Sequence, residues 1–303
     1  MARSKPDRSV GHGTAGGFRD LFEREGGPRT SQGVAAAVHR GVWPAPSAHV
    51  TLRPVRPRLV DWVFTVPFLV AFGAILLVFD PLQRVARAFG PRPQEIVAGW
   101  LQVALVAAFR ICGTRLDVER APSVRRDASY LVVANHQSMF DIPILGSLLF
   151  SNFPKYVSKR ELARWIPSIS YNLRCGGHAL IDRGDREQAT RAIRELGRRV
   201  RERGVSAVIY PEGTRARRGE LGAFKPAGAL ALMEEAPEVP VLPVAIDESW
   251  RLLRFNLLPV PFGTRIRVRI GAPIAREPDE DRRALLAGTR EWIEKALASA
   301  RSV

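Results

Sequence analysis

Residues 130–141 read Tyr130-Leu131-Val132-Val133-Ala134-Asn135-His136-Gln137-Ser138-Met139-Phe140-Asp141. The apolar run Tyr130 to Ala134 has the length of a short buried strand. The residues after Asp141, Ile142-Pro143-Ile144-Leu145-Gly146-Ser147-Leu148-Leu149-Phe150, read as a helix with Pro143 in its first turn, where a missing N–H costs little. His136 and Asp141 therefore straddle a strand-to-helix turn. On one regular helix, residues five apart point roughly 140° apart. The two side chains meet only if His136 lies in the turn and Asp141 at the helix start. A carboxylate so placed holds the imidazole in one tautomer and leaves its other nitrogen as a general base. An aspartate beginning a helix beside a turn histidine is also an ordinary capping arrangement, and the pair alone does not separate these readings.

From about residue 115 the chain alternates strand and helix. The apolar pattern predicts strands over 130–134, 155–158, 178–182, 206–210, 240–246 and 265–270. Ser158 and Glu161 have the spacing of a capping box opening a short helix through Trp165, and Asp185 with Gln188 has the same spacing ahead of a helix to about Arg203. In the latter, Ala189, Ile193, Leu196 and Val200 share one apolar face. The opposite face carries Arg186, Arg194, Arg198 and Arg201, a solvated face or a headgroup-facing patch. Helices are also expected over 227–235 and 278–300, the last with Leu285, Leu286, Trp292, Ile293 and Leu297 inward. Such alternation predicts an α/β fold with a mixed central sheet flanked by helices.

Two further segments end predicted strands. Ile209-Tyr210-Pro211-Glu212-Gly213-Thr214-Arg215 follows Ser206-Ala207-Val208, and loops at the carboxyl ends of strands are where α/β sheets bind ligands. Gly213 permits close backbone approach, Thr214 offers a hydroxyl, and Arg215 offers a fork of donors suited to phosphate. Gly177-His178-Ala179-Leu180-Ile181-Asp182-Arg183 ends in another arginine. Arg183 and Arg215, with Lys225 nearby in sequence, have the makings of an anion cradle.

Together these segments resemble the glycerolipid acyltransferases, closest to the 1-acylglycerol-3-phosphate acyltransferases. Four blocks stand in the family's order over roughly residues 115–275. His136 and Asp141 match the catalytic His with an Asp after four intervening residues. Gly177 to Arg183 match the block whose arginine contacts substrate phosphate. Tyr210 to Arg215 match the Glu-Gly-Thr-Arg loop that binds the glycerol phosphate, and 239–245 match an apolar, proline-bearing strand. The family often has a lysine closely followed by glycine after the third block; in Phe224-Lys225-Pro226-Ala227-Gly228 the glycine comes later. The resemblance implies His136 and Asp141 as catalytic residues, Arg183, Glu212, Gly213, Thr214 and Arg215 at the substrate phosphate, and Asn135, Gly177 and Lys225 beside them. It implies transfer of a fatty acyl group from acyl-CoA or acyl carrier protein to the free hydroxyl of lysophosphatidate, giving phosphatidate for phospholipid synthesis. No cofactor or metal is called for beyond that co-substrate. Glycerol 3-phosphate or another lysolipid is the alternative acceptor, and a silent lipid-binding protein the alternative class. The absence of a Gly-x-Ser-x-Gly elbow argues against a serine acyl-enzyme.

The formal net charge of +16 suits a polyanionic surface. The basic residues are spread along the chain, with no zinc-finger spacing and no interleaved aromatics, so an anionic membrane is expected rather than nucleic acid. The two cysteines, Cys112 and Cys175, form no metal or redox motif. Residues 1–50, rich in Arg, Gly, Pro, Ser and Ala, read as a disordered basic tail, with 18–24 as one possible short helix. Residues 62–79 are 18 residues without a charge, the lower edge of a membrane span, and a shorter apolar run covers 96–109. The expected organisation is thus a tail (1–50), a membrane-embedded or interfacial helical region (51–114) and a catalytic domain (115–303). The resemblance places the last on the cytoplasmic side of a bacterial inner membrane.

Overall fold

The structure, a computed structural model, describes residues 56–277 and 279–301. The expected tail and its 18–24 segment lie outside the described residues. The first elements are two helices, α1 (Leu59–Ala88) and α2 (Pro91–Ala108), and α2 runs on into a 3-10 turn, Phe109–Cys112. Gly90, at φ +122°, turns the chain between them in a conformation that residues with a Cβ rarely adopt. Pro91 then starts α2, where no N–H is needed. The apolar runs at 62–79 and 96–109 thus become an antiparallel helical hairpin.

Seven strands follow: β1 (Arg115–Arg120), β2 (Leu131–Ala134), β3 (Lys155–Lys159), β4 (Ala179–Ile181), β5 (Ala207–Ile209), β6 (Val241–Asp247) and β7 (Arg265–Ile270). They form one sheet in the order β1-β7-β6-β2-β5-β3-β4. The pairings are parallel except β6 with β7, so the sheet is mixed as expected. The edge strand β1 was not anticipated. Its sequence, Arg-Leu-Asp-Val-Glu-Arg, lacks an apolar run because its partner supplies charges instead: Arg265 pairs with Asp117 and Arg269 with Glu119.

Helices α3 (Asp141–Leu148), α4 (Ile169–Cys175), α5 (Arg186–Arg203), α6 (Pro226–Glu235) and α7 (Arg282–Arg301) complete the fold. Alternate residues of β2 divide between two cores. Val132 and Ala134 join Phe68, Phe109, Phe140, Ile144 and Leu145 on the α1/α3 side. Leu131 and Val133 join Ile193, Leu196, Leu232, Ile293 and Leu297 on the α5/α6/α7 side. Burial on both faces is why the strand is uninterruptedly apolar. The expected inner face of α5 holds, with Ile193, Leu196 and Val200 buried.

The expected helix through Trp165 is instead a single 3-10 turn, Arg160–Ala163, and the Ser158 side chain does not cap it. Ser158 still belongs to β3, paired with Leu180, so its backbone is committed to the ladder before a helix can start. At α5 Asp185 does cap, accepting the Gln188 N–H. The Gln188 side chain does not return the bond; it bridges the Asp182 N–H and the Leu180 carbonyl of the β4 exit.

The hairpin is fastened to the α/β domain along α1. Asp61 accepts the Phe262 N–H at 2.8 Å, and the Thr65 hydroxyl accepts the Val260 N–H at 2.9 Å. Phe68 and Phe72 meet the rings of Phe109 and Phe140. Further along, Ser168 bonds Leu76 and Asp80. The outer side of α1 remains apolar and exposed at Trp62, Val66, Val70, Leu77 and Val85.

Candidate active site

The loop leaving β2 turns to α3 on one face of the sheet, whereas the loop leaving the adjacent β5 leads to α6 on the other. Diverging exits at the carboxyl ends of two adjacent parallel strands are the usual position of a ligand crevice in such sheets. His136 stands on one lip and Glu212 on the other.

The β2 loop is held from beneath. Asn135 is buried and bonds both the N–H and the carbonyl of Ile246, each at 2.8 Å, tying the loop to β6. Asp141, at the first position of α3, has no exposed surface. Its Oδ2 accepts the Gln137 and Ser138 N–H groups at 2.7 and 2.9 Å, and its Oδ1 accepts the Ser249 hydroxyl at 2.5 Å. His136 Nδ1 lies 2.9 Å from the same Oδ2. With the Asp141 oxygens accepting from three other donors, the fourth contact is made by Nδ1 donating to Oδ2, which leaves the lone pair on Nε2. The side chain of His136 is 15% exposed, enough to meet a substrate.

The other lip is tied to this one. Glu212 Oε1 accepts the His136 N–H at 2.7 Å, and Oε2 accepts the Gly222 N–H at 2.8 Å. Burial raises the Glu212 pKa above the usual carboxylate value, a shift these two bonds oppose. The His136 carbonyl accepts the Ala216 N–H at 2.7 Å, which sets the backbone beside Arg215 against the histidine. Tyr210 stacks on the imidazole, ring centroids 4.2 Å apart and planes 17° apart, and restricts its rotation. Gly213 takes φ +70°, a left-handed turn, with the exposed Lys225 side chain beside it. Thr214 is exposed and Arg215 half-buried on the same loop.

Arg183 sits on the exposed turn after β4. That strand is three positions from β2, about 14 Å at ordinary strand spacing. Arg215 is therefore on the crevice lip and Arg183 at the outer end of the same edge. Gly177, at φ +80°, gives its carbonyl to Arg199 and supports the entry to β4. His178 is buried, accepts the Tyr156 N–H at Nδ1, and is held neutral by burial. Sequence reasoning missed Ser249 and gave Tyr210 no role. Ser249 carried a signal: it is a polar residue just past the buried, apolar β6.

Residues 115–247 match the family model described as Acyltransferase. The matched segment begins at β1 and ends with β6, so it contains the crevice and His136, Asp141, Arg183 and Glu212 to Arg215. Among curated proteins, the 1-acyl-sn-glycerol-3-phosphate acyltransferase of Cocos nucifera is 29% identical over 175 residues, 56% of this chain and 53% of the relative. That of Escherichia coli K12 is 27% identical over 199 residues, 65% of this chain and 77% of the relative. The chain spans about half to two thirds of the length of the plant relatives it matches. The crystal structure of the 1-acyl-sn-glycerophosphate acyltransferase PlsC of Thermotoga maritima superposes with a TM-score of 0.64 at 21% identity, over 80% of this chain and 97% of that one. The likeness in fold extends beyond the matched segment, since a match over 80% of the chain is longer than residues 115–247.

Proposed function

We propose that this chain transfers a fatty acyl group from a thioester, acyl-CoA or acyl carrier protein, to the free hydroxyl of 1-acylglycerol 3-phosphate, forming phosphatidate. The observation that carries the chemistry is the Asp141 carboxylate, fixed by two N–H groups and the Ser249 hydroxyl and bonded to His136 Nδ1. It leaves Nε2 as the base. Nε2 takes the proton of the acceptor hydroxyl as the oxygen attacks the thioester carbonyl. The tetrahedral intermediate collapses with loss of thiolate, which regains a proton from Nε2–H. The products are ester and free thiol, without an acyl-enzyme. Asp141 stabilises the imidazolium in between. Arg215 on the crevice lip, with Thr214 and the Gly213 turn, is suited to the acceptor phosphate, and Arg183 to the outer edge of the site. The choice of acceptor rests on the names of the relatives. The geometry supports the base.

The exposed apolar side of α1, together with Ile96 and Trp100 of α2, supports a membrane position. Both helices are long and apolar enough to cross a bilayer. Because α1 is fastened to the domain at both ends and the middle, we read the hairpin as lying in the interface with the domain, not as detached spans. The test is acyl transfer by membranes carrying wild type or His136→Ala, with lysophosphatidate, glycerol 3-phosphate and lysophosphatidylcholine offered with each donor. Phosphatidate from wild type, with turnover lost by about 10²–10⁴-fold in the variant, is expected. Another acceptor would keep the base and change the substrate; no transfer by folded wild type would overturn the reading.

A further inference from the structure

We infer that the turn between β3 and α4 is a second membrane contact, with Trp165 as its anchor in the lipid headgroup region. Trp165 is the most exposed large apolar residue among the described residues, at 83%. It is also held firmly. The Ile166 N–H donates to Ser170 Oγ at 2.8 Å, Ser170 Oγ donates to the Leu162 carbonyl at 2.9 Å, and Arg174 bonds the Ala163 carbonyl. These bonds close the turn on either side of the indole. Ser168, three residues on, takes φ +62° and ψ −51°, which a residue with a Cβ rarely adopts. It is kept there by bonds to α1: its N–H to Asp80, its hydroxyl to the Leu76 carbonyl, and its carbonyl from Gln83. A loop fixed this tightly that leaves an indole in solvent is built to present it.

The occupant follows from the neighbours. Ile166 and Ile169 pack on the buried Leu76, Leu101 and Leu105 of the hairpin, so the turn is seated directly against the two helices whose other side is read as membrane-facing. Trp165 lies within about 10 Å of Ser168, the reach of three residues, and hence beside α1. Arg160 and Arg164 are exposed on the same turn. An indole flanked by arginines has the composition of an interfacial anchor on an anionic bilayer. Because the turn leaves β3 at the carboxyl edge of the sheet, its insertion tilts the crevice toward the lipid surface. A hairpin alone leaves the molecule free to roll about the hairpin axis, and a contact off that axis removes the freedom. The inference rests on the membrane reading of the hairpin.

The experiment compares full-length wild type with Trp165→Phe, Trp62→Phe and Trp100→Phe on vesicles of phosphatidylcholine and phosphatidylglycerol, with bromine placed shallow or deep on the acyl chains. Differences from wild type isolate each tryptophan. Trp165 fluorescence is expected to be quenched by shallow bromine and shielded from acrylamide. Trp165→Ala is expected to lower vesicle partitioning about ten-fold, the effect of leaving one aromatic side chain unburied, with unchanged melting temperature and turnover in detergent. Quenching of Trp62 or Trp100 without Trp165 would overturn this inference and keep the hairpin reading. No quenching of any would overturn both. Shielding of Trp165 that appears only with added acyl carrier protein, or rises with protein concentration without lipid, would assign the turn to a protein partner and overturn the lipid contact.

Discussion

Asp141→Asn separates the charge of the buried carboxylate from its geometry. The amide can keep every bond: its oxygen takes the place of Oδ2 and accepts from Gln137, Ser138 and His136, and its nitrogen takes the place of Oδ1 and donates to Ser249, whose hydroxyl rotates to accept. His136 therefore stays in place with the same tautomer. What disappears is the attraction between carboxylate and imidazolium at 2.9 Å. At an effective dielectric near 20 that attraction is about 6 kcal/mol, so turnover should fall by about 10⁴-fold. Folding loses only the difference between charge-assisted and neutral bonds, about 1 kcal/mol each before relaxation, a few degrees in melting temperature at this size. Initial rates of thiol release, with a thermal melt on the same preparation, measure both. A folded Asn variant turning over within about five-fold of wild type would refute the assignment of Asp141 to the imidazolium.

Ser249→Ala removes one donor from the same carboxylate; stability should drop by about 1.5–3 kcal/mol and turnover about ten-fold, and a melt and rate both unchanged would mean the bond does not matter. Gly213→Ala should cost about 1–2 kcal/mol, because a Cβ there opposes the left-handed turn at φ +70°, while its nearest neighbours, at 3.4 Å, are atoms of the Lys225 side chain; Gly213→Asn should be milder, and equal losses would point to crowding instead. Burial lowers Lys155 to about 8 from 10.5, against the opposing pull of Glu95. Between those values the unfolded chain holds a proton that the folded chain lacks, so this group makes stability rise with pH across that window. Urea unfolding from pH 7.5 to 10 should show the rise in wild type and not in a Lys155→Met, Glu95→Gln double variant; matching slopes would contradict it.

The strands were legible where both faces are buried. At β2, β5 and β6 a continuous apolar run is the local signature of a two-sided core, and the observed limits fall within a residue or two of the expected ones. It failed at β1, whose stability comes from carboxylates facing the arginines of β7, a relation no local pattern records. The His136–Asp141 pairing was legible because a strand, a turn and a helix start lie within twelve residues. Glu212 was placed at the site, but its hold on the His136 backbone joins residues 76 positions apart. Ser249 reaches Asp141 across 108 positions, and only the sheet order brings them together. The Ser158 spacing misled because a capping box is a local preference, and the β4 ladder outweighs it.

The fastening of α1 also sets an order of events during synthesis. Asp61, Thr65, Phe72 and Asp80 find their partners at residues 262, 260, 140 and 168, all of which leave the ribosome later. Until they do, α1 is a long apolar helix with both sides uncovered. Contacts this distant in sequence close slowly, and exposed apolar surface associates in the meantime. The earliest companion of such a helix in a cell is lipid or a chaperone, and the sheet closes over it afterwards.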